Sequence, residues 1–152
     1  MNNLPEQVVN KLIKENKTIS FMESCTGGYL ASEITNIEGS SNILKASLVT
    51  YSNEFKIKFG INQNTIDAYS VYSIEIAKEM SKQVSKFTNS SIGVGITGEI
   101  AKGSNNKAYY SIYEKSQDSY IVGNIEIPEM ERKEKKEYIC KEIFSKILKE
   151  VE

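Results

Sequence analysis

Histidine is absent from this chain of 152 residues. Its absence excludes a Ser-His-Asp triad, histidine-ligated zinc, iron or copper, and a histidine general acid or base. Proton transfer then falls to Lys, Tyr, Asp or Glu. Cysteine is scarce: Cys25 and Cys140 lie far apart and form no C-x-x-C pair, so neither a disulfide framework nor a structural zinc is indicated. A reducing cytoplasm is the expected setting. No apolar run approaches the roughly 20 residues that span a bilayer, and residues 1–10 lack a hydrophobic signal core, so no membrane partner is expected. The formal net charge is −1, with both signs interspersed, which leaves no electrostatic footprint for nucleic acid. The stretch from Gly103 to Lys107 lacks the G-K-[ST] ending of a P-loop.

What is present reads as one domain over residues 1–152, long enough to bury a core without a staple. Leu4, Val8, Val9, Leu12 and Ile13 follow helical spacing, with Pro5 tolerated in a first turn. A strand is expected from Thr18 to Met22 and a helix from Tyr29 to Asn36, closed by the Gly39-Ser40-Ser41 cluster. A second strand runs from Lys45 to Tyr51. Asn53 to Phe59 and Asn62 to Ser70 show no clear period and stand as loop or short helix. Ser73 caps a helix with Ile74, Ala77, Met80, Val84 and Phe87 on its apolar face.

Ile92, Val94 and Ile96 alternate with Gly93 and Gly95, a strand with one bare face suited to the sheet centre. Lys107 to Tyr113 and Tyr120 to Ile127 form an antiparallel hairpin, and Glu131 to Val151 a closing helix with Ile139, Ile143, Phe144, Ile147 and Leu148 inward. Strands interleaved with helices, plus one hairpin, give an α/β fold: a three-layer α/β/α sandwich with a mixed sheet and a C-terminal antiparallel hairpin. Gly93 to Gly98 also matches G-x-G-x-x-G. The dinucleotide fingerprint needs those glycines in a turn that opens a helix, whereas here they lie inside a strand, so the match is read as coincidence.

The stretch Met22-Glu23-Ser24-Cys25-Thr26-Gly27-Gly28 sits where a strand turns into a helix. A serine there can be an N-cap or a nucleophile; Thr26 competes for the cap, and unpaired helix N–H groups nearby suit an oxyanion or a phosphate. With no histidine, a Ser-Lys pair is the natural arrangement, because a desolvated lysine can act as base. Cys25 is expected to be a small buried residue rather than a rival nucleophile, and Cys140 to be structural. Two further strand ends, Thr50 to Lys56 and Thr97-Gly98, bring polar groups to the same sheet edge.

Together these residues resemble the CinA C-terminal domain, whose enzymatic members are nicotinamide-nucleotide amidases. The marks are Glu23 to Gly28, Gly39-Ser40-Ser41, Val49-Thr50-Tyr51-Ser52-Asn53 with Lys56, Val71 and Ser73, and Thr97-Gly98. The resemblance implies hydrolysis of nicotinamide mononucleotide to nicotinate mononucleotide and ammonia, with no metal or organic cofactor. It makes Ser24 the nucleophile, Lys56 its base and Tyr51 a hydroxyl that positions or shares the proton. Thr26, Gly27, Gly28, Asn53, Thr97, Gly98 and Arg132 would hold the substrate, Arg132 by pairing with phosphate; a solvated charge at a helix start is the other reading of Arg132. A small-molecule nucleotide is therefore the expected partner, and a homo-oligomer, a dimer by guess, the expected assembly.

The chain departs from the family in the loop after Thr97-Gly98. Glu99 to Asn106 and then Lys107-Ala108-Tyr109-Tyr110 replace a glycine- and proline-rich loop followed by Lys-Pro-Val-Gly, and Lys136 stands for a second family arginine. Side chains in that loop can narrow the pocket or change what it accepts. Two other functions therefore stand beside the amidase: a nucleotide-binding domain that has lost turnover, and an amidase for another small carboxamide. Some family members are fused to a larger N-terminal partner, and a stand-alone form is expected here.

Overall fold

The computed structural model describes residues 3–152. Its five strands, β1 (Ile19–Glu23), β2 (Leu44–Val49), β3 (Ile92–Glu99), β4 (Lys107–Glu114) and β5 (Ser119–Glu126), form one sheet in the order β2-β1-β3-β4-β5. β1 pairs in parallel with β2 and β3, whereas β3, β4 and β5 pair antiparallel, so the sheet is mixed and β3 is central.

Alternation along the strands sends side chains to two cores. On one face Phe21, Val94, Ile96 and Ile112 pack against α1 (Leu4–Glu15), α2 (Tyr29–Thr35) and α6 (Arg132–Glu150). On the other Met22 packs with Ile66 of α4 (Gln63–Tyr69) and with Ile76, Met80 and Val84 of α5 (Ile74–Thr88). The result is the expected three-layer sandwich with its C-terminal hairpin.

The bare face of β3 has a steric cause. A Cβ added at Gly93 would lie 2.0 Å from the Ser81 carbonyl oxygen, and one at Gly95 2.4 Å from that of Ala77. α5 thus lies directly on the β3 backbone, and Ser81 Oγ reaches Ser111 Oγ of β4 at 2.8 Å. Gly95→Ala is expected to destabilise the domain by about 3 kcal/mol or more, because neither backbone can yield, as read by denaturant unfolding. The same contact explains why the G-x-G-x-x-G run serves packing and not a dinucleotide.

Of the two alternatives left open between residues 53 and 70, loop and short helix, the helix holds in both segments: α3 (Asn53–Lys58) is capped by Ser52 Oγ, which accepts from Phe55 N–H at 3.2 Å, and α4 by Asn62 Oδ1, which accepts from Asn64 N–H at 2.8 Å. Other expectations shift. β2 stops at Val49, because the chain must turn through Tyr51 and Ser52 into α3. Phe87, expected on the apolar face of α5, is 61 % exposed and rests its ring on Phe59 at 5.5 Å, while Ile76, which was not assigned there, is buried. Ile13 is also largely exposed. None of the described helices is long and apolar enough to cross a membrane.

Candidate active site

At the end of β1 the Glu23 side chain turns under α2 and is fully buried. Its carboxylate accepts from the N–H groups of Gly28, Leu30 and Ala31 at 3.1 Å each, from Thr26 Oγ1 at 2.7 Å and from Ser47 Oγ at 2.8 Å. Neither Ser24 nor Thr26 therefore caps α2, because the preceding carboxylate already fills the helix end, where a negative charge is favoured. Gly27 (φ 57°) and Gly28 (φ 94°) carry the turn in left-handed conformations that favour glycine. Glu23→Ala would leave five donors without their acceptor and is expected to cost about 3 kcal/mol, measured as a fall in thermal midpoint.

With the cap supplied by Glu23, the Ser24 hydroxyl is free to meet α3. Lys56, 2 % exposed, directs Nζ to Ser24 Oγ at 3.0 Å and to the Thr50 carbonyl at 2.7 Å. Burial holds its pKa below the ordinary lysine value, with the nearby Cys25 group opposing. A neutral Lys56 can keep donating to Thr50 while accepting the Ser24 proton. Cys25 is buried too, and that burial pushes its thiol up to about 12, so it remains protonated at neutral pH. Burial likewise raises the Cys140 thiol, a core residue of α6.

Ser24 and Lys56 open into a cavity of about 210 Å³ whose walls include Tyr51, Asn53, Gly98 and Arg132. These six expected site residues come together. Tyr51 is 62 % exposed, and its hydroxyl accepts from Arg132 Nη2 at 3.2 Å, so it closes the rim and makes no hydrogen bond to the Ser24–Lys56 pair. Thr97 faces elsewhere: its Oγ1 donates to the Val71 carbonyl at 2.9 Å and ties β3 to the segment before α5. Thr26, Gly27 and Gly28 line a separate hollow with Lys133 and Lys136. The Gly28 N–H is occupied by Glu23 and the Gly27 N–H by the Ser24 carbonyl at 3.0 Å. Neither the Cys25 nor the Thr26 N–H bonds a backbone carbonyl among the described residues, which leaves these two as the candidate oxyanion donors beside Ser24.

Sequence reasoning missed Tyr72, which lines the cavity with Val71, a family mark not read as a wall, and with Ile100 and Ala101 of the loop expected to narrow the pocket. The polar run Thr50 to Lys56 was the signal for the near side, but nothing periodic marks the far side. Among the described residues no group of three or more Cys, Asp or Glu side chains is placed to hold a metal ion.

The model of the family described as CinA C-terminal domain matches residues 1–147. The chain belongs to the CinA C-terminal domain family. A CinA-like protein of Flavobacterium psychrophilum is 46 % identical over 95 residues, which are 61 % of this chain and 23 % of that relative. The chain thus spans about a quarter of the length of the curated relatives it matches. Among solved structures, a competence-damaged protein (CinA) superfamily protein from Escherichia coli has a TM-score of 0.89 at 21 % identity, covering 96 % of this chain and 87 % of its own. The competence damage-inducible protein A (ComA) from Klebsiella pneumoniae gives 0.92 at 17 % identity, covering 99 % and 98 %. At those identities the likeness is one of fold, and it places this CinA domain's sheet and helices in a shared architecture.

Proposed function

We propose that this CinA domain hydrolyses the carboxamide of nicotinamide mononucleotide, giving nicotinate mononucleotide and ammonia. The observation that carries the reading is Lys56 Nζ at 3.0 Å from Ser24 Oγ, in a buried pair at the end of an open cavity. Lys56 takes the hydroxyl proton as Ser24 Oγ attacks the carboxamide carbon, and the N–H groups of Cys25 and Thr26 receive the oxyanion. The proton passes to the departing amine, ammonia leaves, and an ester remains on Ser24. Lys56 then accepts a proton from water, which cleaves the ester to the carboxylate and restores the hydroxyl.

Ser24 and Lys56 supply nucleophile and base, so each step is written without a metal or organic cofactor. Arg132, held by Tyr51 at the rim, faces the same cavity and is assigned the nucleotide phosphate. Asn53 and the Gly98 backbone are assigned to the substrate's polar groups. Cytoplasmic placement and homo-oligomeric assembly belong to this proposal as well.

Ile100 and Ala101 in the wall favour a second reading, because side chains there select among ligands more strictly than a glycine-rich loop would. Incubation with nicotinamide mononucleotide, followed by ammonia assay and mass spectrometry, separates the cases. Ammonia with a product one mass unit heavier is expected. Binding without ammonia would mark a nucleotide-binding domain, and turnover confined to other carboxamides would mark a different substrate.

A further inference from the structure

Lys135 is among the largest fully buried side chains of the domain, 1 % exposed, yet it takes no part in the Ser24–Lys56 chemistry. Its Nζ donates to the Ile100 carbonyl at 3.0 Å and to Asn106 Oδ1 at 2.7 Å, and pairs with Glu129 Oε1 at 2.8 Å. Three acceptors match the three protons of an ammonium. Asn106 Nδ2 in turn donates to the second Glu129 oxygen at 3.1 Å. One cation therefore ties the first and last parts of the loop that replaces the family's glycine-rich segment to the approach to α6.

A buried charge is costly unless saturated, and an apolar side chain would fill this helix position without that demand. The geometry of the loop gives the charge a use. Ile100 and Ala101 line the Ser24 cavity, and Ile100 is bonded directly to Lys135. Arg132, which lines the same cavity, lies three residues before Lys135 on the same helix. Among the described residues the loop's other ties are the Ser104 N–H to the Ala101 carbonyl at 3.0 Å, Ser104 Oγ to the Glu99 carbonyl and the Asn106 N–H to Ser104 Oγ, both at 3.3 Å, and the Ile127 N–H to the Asn106 carbonyl at 2.9 Å, none of which reaches α6. Gly103 has open space around it. Without the ammonium, the Ile100 carbonyl and Asn106 side chain lose their anchor on α6.

We propose that Lys135 is a positioning residue that clamps the 99–106 loop to α6, fixes the Ile100–Ala101 wall of the Ser24 cavity, and thereby sets substrate affinity. The affinity part rests on the amidase reading; the clamping part does not. Two measurements on Lys135→Met and Glu129→Gln keep them apart. In hydrogen exchange of the ligand-free protein, amides of residues 100–106 are expected to exchange about tenfold faster in Lys135→Met and about threefold faster in Glu129→Gln, with β1 and β3 unchanged. In steady-state kinetics on nicotinamide mononucleotide, KM is expected to rise about tenfold in Lys135→Met with kcat held within about twofold. Unchanged loop exchange in both variants would overturn the clamp, as would loosening spread over the whole sheet. A fall in kcat at constant KM would overturn the role in affinity. Should Lys135→Met fail to fold, the exposed Glu129→Gln carries both readouts. If the native protein releases no ammonia, the amidase reading fails alone, and exchange still decides the clamp.

Discussion

Ser24→Ala is expected to lower kcat for ammonia release by about three orders of magnitude or more while leaving the domain folded and nucleotide bound. The size of the effect follows from the role: without Oγ no ester forms, and no second nucleophile is at hand, since the neighbouring Cys25 thiol is raised to about 12. The preserved fold follows from Glu23. That carboxylate, not Ser24, holds the N-terminus of α2, so removing the hydroxyl strips no helix cap. Lys56 keeps the Thr50 carbonyl as acceptor. The expected change in stability is therefore under about 1 kcal/mol, small enough to separate a chemical loss from a folding one. A circular-dichroism melt and a binding titration beside the ammonia assay check all three points.

Lys56→Met is expected to abolish turnover and to raise stability near neutral pH. Activity requires the neutral amine, so kcat/KM of the native enzyme rises with pH as Lys56 loses its proton, with a midpoint below the ordinary lysine value. The stability effect has the same origin. Burial lowers the folded-state pKa below 10.5, so between the folded value and 10.5 the unfolded chain binds more protons and stability rises with pH. Below the folded value the penalty for burying the ammonium is present in full; above 10.5 it is gone. Methionine keeps the stem and removes the charge, and a gain of about 1 kcal/mol would raise the thermal midpoint by about 2–4 °C at neutral pH. The gain should vanish in strongly alkaline buffer. A variant both inactive and more stable is the signature of a lysine kept at a cost for chemistry.

Much of this architecture is legible in the sequence, because its periodicities are simple. Alternation in Ile92 to Ile96 located the central strand, and the spacing of Ile139, Ile143 and Ile147 located α6. The short helices α3 and α4 were legible only as loop or short helix: six or seven residues give too few turns for a period, and caps at Ser52 and Asn62 decide them. The Glu23 cap was hidden for a different reason. Its carboxylate comes from the strand, five residues before Gly28, while local rules look for a cap beside the helix. Tyr51 and Thr97 were placed by motif in the site, but hydrogen bonds to Arg132 and Val71 draw their hydroxyls away from the Ser24–Lys56 pair. Lys135 did leave a trace: it falls on the i, i+4 stripe of Ile139, Ile143 and Ile147, where a charge signals a buried partner.

The chemistry reduces to one covalent bond, and rapid quenching of the protein during turnover of nicotinamide mononucleotide, followed by intact and peptide mass spectrometry, looks for it directly. An acyl adduct on the peptide containing Ser24, absent from Ser24→Ala and released by hydroxylamine, is the expected result. Turnover that proceeds at the native rate in Ser24→Ala, or an adduct on another residue, would contradict the Ser24–Lys56 mechanism.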